Sequence, residues 1–144
     1  MPQAKGVFTI EAPVREVWRF VGDIAQLAAC IPGTEDVEIK DEVLSYWKIK
    51  ADLGIFSRVV EVEARLAQKE EPSLVQYVLQ GISEKFTGSI HLDLAPISQG
   101  ETQASLTMIL KAGGPMGSLI NYHLDSQMEE RVKQFTECVE RRFK

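Results

Sequence analysis

The side chains able to do chemistry are few, and their spacing decides what each can do. Cys30 and Cys138 are the two cysteines. Cys30 stands beside Ile31 in an apolar turn, and Cys138 falls on the apolar side of a helical pattern. Both read as buried structural thiols rather than nucleophiles. Their separation suits no zinc motif, and in a reducing compartment no disulfide is expected between them. His91 and Asp93 share the polar face of one strand, where a solvated pair explains them better than a metal, which wants more ligands. His123 and Asp125 are two apart on a helix and point in different directions. Gly113-Gly114-Pro115-Met116-Gly117 lacks the Lys-Ser/Thr of a phosphate loop. Glu84, Glu129 and Glu130 are carboxylates that a cavity could use, but no partner base stands at a recognisable spacing. Arg58 is in phase with Phe56, Val60 and Val62, placing it to meet a polar ligand head or, from a strand end, water. The pattern implies no catalytic residue, no metal site and no cofactor.

Composition narrows the partners. A chain of 144 residues with net charge -5 lacks the basic face that nucleic acid needs, apart from a small cluster at Arg141, Arg142 and Lys144. Hydrophobic residues make up 44% and charged residues 26%, the balance of a globular protein folded as one domain over 1–144. No apolar run approaches the ~20 residues that span a bilayer, and Met1 to Gly6 is polar. A cytoplasmic location is the expectation.

Periodicity supplies the elements. Gly6 to Glu11 reads as a strand, and Ala12-Pro13 opens a helix with proline at its first position. Ile24 to Cys30 forms a second short helix, stopped by Pro32-Gly33. Six strands follow, over Glu35 to Lys40, Val43 to Leu53, and then the alternating series Val60 to Leu66, Val75 to Gly81, Phe86 to Leu94 and Ala104 to Leu110. Turns fall at Asp41-Glu42, Gly54, Glu70 to Ser73 and Pro96 to Gly100. Ser118 to Lys144 is free of proline and glycine, and Ile120, Leu124, Met128, Val132, Phe135, Val139 and Phe143 form one apolar stripe along it. Such a stripe needs a partner surface, and an antiparallel meander with one apolar face supplies it. This is an α+β chain with a sheet closed over a long helix.

Phe8-Thr9-Ile10-Glu11-Ala12-Pro13-Val14 with Val17-Trp18 resembles the opening signature of the START-like (SRPBCC) superfamily. Leu27-Ala28-Ala29-Cys30-Ile31-Pro32-Gly33 and the Gly113 to Gly117 knuckle are similar to those of the CoxG family, named for the CoxG subunit of carbon monoxide dehydrogenase, over about Gly6 to Phe143. The resemblance implies a helix-grip fold, with a seven-stranded antiparallel sheet wrapped around the C-terminal helix and two short helices after strand 1. It also implies a non-enzymatic accessory protein, associated with a molybdenum-containing carbon monoxide dehydrogenase or related hydroxylase and holding a lipid- or quinone-like molecule. Some members carry a C-terminal extension toward the membrane. This sequence ends at Lys144 with the helix, so peripheral contact at the inner face of the membrane is the most that is expected.

Small residues on the inward faces (Ala51, Ala64, Gly81, Gly88 and Ala104) leave volume unfilled, which favours a cavity over a filled core. Its expected lining is Trp47, Val60, Val62, Tyr77, Phe86, Ile90 and Met108 from the sheet, with Met116, Ile120, Leu124 and Met128 from the helix region. Tyr77 and Tyr122 are the candidates for one orienting hydrogen bond. Gly113, Gly114 and Pro115 are expected to act as a hinge for the final helix. Two alternatives stand beside this reading: a START-like cyclase or hydratase using a cavity carboxylate, and a protein-interaction module with a filled core.

Overall fold

The computed structural model describes residues 2–52, 57–82 and 84–144, with Asp52 by its backbone alone. The expected turn at Gly54, with Leu53 and Phe56 beside it, lies outside the described residues. The chain runs β1 (Gln3–Ile10), α1 (Val14–Val21), α2 (Ile24–Ala29), β2 (Thr34–Ile39), β3 (Leu44–Asp52), β4 (Ser57–Glu70), β5 (Leu74–Gly81), β6 (Phe86–Ser98), β7 (Glu101–Ala112) and α3 (Gly117–Arg142). The seven strands make one sheet in the order β1-β7-β6-β5-β4-β3-β2, every neighbouring pair antiparallel. It is the helix-grip arrangement, with β1 carried across the two short helices to close beside β7.

Alternation places the core. Val62 and Ala64, Val75, Tyr77 and Leu79, Ile90, Leu92 and Leu94, and Ala104 to Leu110 at every second position are buried on the inner face. Val78 and Ile82, which blur the phase of their strand, point outward and are exposed. Register shifts at Thr34/Asp36, Leu66/Gln68 and Pro96/Ser98 are the irregularities that bend such a sheet. Two buried hydroxyls are satisfied: Ser45 Oγ accepts from Trp47 Nε1 at 2.8 Å, and Thr102 Oγ1 donates to the Ala12 carbonyl at 2.8 Å.

The short helices start differently from one another. Pro13 stands one residue outside α1, as its N-cap in extended conformation, and its carbonyl accepts from the Glu16 and Val17 amides. The N-cap of α2 is Asp23, whose carboxylate accepts from the Ala25 and Gln26 amides at 3.0 and 3.3 Å. On α3, Leu124, Met128, Val132, Phe135 and Val139 are buried in register with the expected stripe, and Ile120 and Phe143 are half-buried. The helix packs chiefly on β1 and β7, at one side of the sheet. The opposite side of the sheet, β3 and β4, is not among its main packing partners.

One expectation is corrected. Cys30 and Cys138 are bonded to each other, with Cα atoms 5.5 Å apart. They are 108 residues apart in sequence, and the fold brings the C-cap of α2 beside the last turns of α3. A Cα separation near 5.5 Å is what a disulfide spans without backbone movement.

Candidate functional site

Where α3 stands off the curving sheet, an apolar cavity of about 50 Å³ remains. Its walls come from adjacent rows of the register. Ile49 faces Val60 across β3 and β4, and Ile90 faces Met108 across β6 and β7. Ala51, Val62, Leu79, Phe86 and Leu110 complete the sheet side, Leu124 and Arg131 come from α3, and Ile31 comes from the loop after α2. The volume suffices for a handful of waters and is far below the ~300 Å³ at which ligand pockets begin. An organic occupant must therefore part the walls. Leucine and methionine rotamers at the seam (Met108, Leu110 and Leu124) make that motion cheap compared with moving strands.

Each expected lining residue has a definite place. Val60, Val62, Phe86, Ile90, Met108 and Leu124 meet around the cavity. Trp47, Tyr77 and Met128 are fully buried but pack into the core beside it, with the Trp47 and Tyr77 rings 6.0 Å apart. Burial pushes the Tyr77 hydroxyl up to about 12, with the charge of Asp23 adding to it. Ile120 is packed against the core from its edge. Met116 and Tyr122 lie outside, 50% and 74% exposed, together with Leu119 on the first turns of α3. These side chains point away from the core, while Gly117 and Ile120 of the same turns pack toward it. Among the carboxylates considered, Glu84 is paired with Arg58 at 2.7 Å, while Glu129 and Glu130 face outward. His91 and Asp93 pair at 2.9 Å on the outer face.

The knuckle before α3 is held from both sides. The Gly113 amide donates to the Lys85 carbonyl at 2.7 Å, and Gly114 adopts φ 79°, which glycine accepts without strain. The Asn121 side chain clamps Ala112, accepting from its amide at 2.8 Å and donating to its carbonyl at 2.9 Å. Asn121 was not foreseen, since one polar residue in a helix carries no sequence signal of what it binds.

Beside the cavity stands the Ile31-Pro32-Gly33-Thr34 turn, which supplies Ile31 to its lining. The Thr34 amide donates to the Ile31 carbonyl at 3.2 Å, and Gly33 has φ 88° after a proline whose ring presets its own φ. A side chain at Gly33 would collide with the Lys50 carbonyl. Pro-Gly is thus required by the turn that brings Ile31 to the cavity. Beside it, Pro32, Gly33, Lys50, Gln127, Glu130, Arg131 and Gln134 surround an outer cleft of about 490 Å³. Arg131 lines both spaces. It is the one lining residue with a charge, and the apolar stripe around it masks it in the sequence. Its spacing is nonetheless a signal: 124, 128, 131 and 135 follow the helical repeat, and Arg131 interrupts them.

The sequence profile of the family described as the CoxG subunit of carbon monoxide dehydrogenase matches residues 6–144. The chain belongs to this family. Among solved structures, a conserved protein from Geobacillus kaustophilus superposes with TM-score 0.78 at 18% identity, covering 98% of this chain and 94% of its own. The Zhui aromatase/cyclase from Streptomyces sp. R1128 does so with TM-score 0.71 at 18% identity, covering 97% and 92%. A START superfamily protein from Mycobacterium smegmatis gives TM-score 0.72 at 11% identity, covering 98% and 96%. At these identities the likeness is one of fold. No curated protein matches the sequence significantly. Among the described residues, no helix is long and apolar enough to cross a membrane. A START-like fold in the CoxG family, with an apolar space between sheet and helix, is consistent with ligand binding.

Proposed function

We propose that this CoxG-family protein is a non-enzymatic accessory protein that takes a hydrophobic, lipid- or quinone-like molecule into the space between the sheet and α3. The observation that carries the reading is the cavity itself, whose walls are apolar except for Arg131. Such a lining favours burial of an apolar chain at about 25 cal/mol per Å², before ordering is counted. The family name supports an association with a carbon monoxide dehydrogenase-type enzyme. The exposed Met116, Leu119 and Tyr122 on the first turns of α3 support brief, peripheral contact with a membrane.

The cyclase or hydratase alternative draws on the aromatase/cyclase fold neighbour. It needs a carboxylate facing the substrate, and neither Glu84, engaged by Arg58, nor the outward Glu129 meets that need. A cytoplasmic placement pulls against the Cys30–Cys138 bond, because reducing compartments seldom keep disulfides. Alkylation of thiols at the moment of lysis decides between them: two modified cysteines support the cytoplasm, and none points to an oxidising compartment.

The test of the reading is uptake of Nile red, a neutral apolar dye. The parent protein should bind it at one site. Ala51→Leu, which puts three extra carbons into the cavity, should abolish uptake and change stability by no more than about 1 kcal/mol. Parent protein that does not bind the dye, or equal uptake by both proteins, would sink the proposal.

A further inference from the structure

Arg131 is an expensive residue to place where it stands. Its Nε is buried and has no hydrogen-bond partner. Among the described residues no carboxylate pairs with it, and its guanidinium makes a single long contact, Nη2 to Gln127 Oε1 at 3.4 Å. A guanidinium keeps its charge at all physiological pH, so it cannot relieve this burial by losing a proton. Desolvation accordingly pushes its pKa down. The only other buried side-chain atom without a partner among the described residues is Thr34 Oγ1. Thr34 follows Gly33 in the Pro32-Gly33 turn and pairs in register with the cavity residue Ile49. The two unsatisfied groups thus stand at the same end of the cavity, and both can donate a hydrogen bond.

A half-buried guanidinium with an unpartnered Nε and no carboxylate partner among the described residues is destabilising for the empty protein unless an anion completes it. Its position sets the form of that anion. Arg131 lines the apolar cavity on one side and the outer cleft on the other, so a charged group held by it would lie at the boundary with the rest of the molecule inside. The planar guanidinium fork matches a carboxylate bidentately. Lys50 and Glu130 both stand on the rim of the same cleft and offset each other in charge, so Arg131 supplies the charge that the head would meet. We propose that the ligand is an amphiphile with an anionic, carboxylate-type head, that Arg131 is the head-binding residue, and that the molecule enters tail first between the Pro32-Gly33 turn and α3. This rests on the proposed function and specifies its ligand class.

The experiment uses the full chain, stripped of lipid, in competition with Nile red by dodecanoic acid and by dodecan-1-ol, which share a tail and differ in the head. The parent should bind the acid more tightly than the alcohol by roughly tenfold or more, the effect of one charge-assisted pair. Arg131→Gln should remove that preference by weakening the acid much more than the alcohol, with the melting temperature equal or higher. Arg131→Lys, which keeps the charge and loses the fork, should fall between the two and serves as the readout if Arg131→Gln does not fold. Equal affinities for acid and alcohol in the parent, or a uniform loss in the variants, would overturn the head assignment while leaving the apolar site standing. If the dye itself does not bind, the proposed function fails with it.

Discussion

At the scale of single residues, the interior is divided between side chains that fill and side chains that leave space. Met128 shows the difference. It faces the sheet as the stripe requires, yet it is packed among core residues outside the cavity lining. Met128→Trp should therefore overpack the core and lower stability by about 1–3 kcal/mol, measurable as a shifted melting curve. The cavity is open instead at Ala51, which is why that position carries the blocking substitution. Tyr77 gives a pH signature. Its hydroxyl ionises near 10 in the unfolded chain and near 12 when folded, so below pH 10 both states hold the proton. Between pH 10 and 12 only the unfolded state releases it, and stability should fall with rising pH by up to roughly 3 kcal/mol. Tyr77→Phe should flatten that part of the pH–stability curve, and an unchanged slope would contradict the burial argument. The lining was legible at this scale wherever alternation alone decides which way a side chain points, as at Val60, Val62, Ile90 and Met108. Periodicity does not say how far a facing element stands away. That is why Trp47, Tyr77 and Met128 lie in packed core and Arg131 lines the space.

At the scale of elements, the strands and α3 were readable because each repeats its pattern over many residues. The short helices shifted by a residue or so at their ends, since Pro13 caps α1 from outside. Contacts far apart in sequence were not readable. The Cys30–Cys138 bond joins the C-cap of α2 to α3 across 108 residues, and the clamp on Ala112 depends on a single side chain, Asn121. We expect Asn121→Ala to strand the Ala112 amide and carbonyl and lower stability by about 1–3 kcal/mol. If the Gly113-Gly114-Pro115 knuckle is a hinge for α3, the same variant should also take up Nile red faster in a stopped-flow measurement. An unchanged rate would leave the knuckle a folding feature only.

At the scale of the whole molecule, α3 is held along β1 and β7 and cross-linked near its C-terminus to α2, while its flank toward β3 and β4 borders the cavity. Reduction of the disulfide frees a loop of 108 residues and should lower stability by roughly 2–5 kcal/mol in denaturant titrations run with and without reductant. No change would contradict a stabilising role for the bond. Whether this interior is a binding space or a packing defect is decided most directly by native mass spectrometry of protein purified without detergent from its own organism. A binding space predicts a complex heavier than the polypeptide by one small molecule, released on unfolding and absent from Ala51→Leu. A bare polypeptide mass in both proteins, with no dye uptake by the parent, would contradict it.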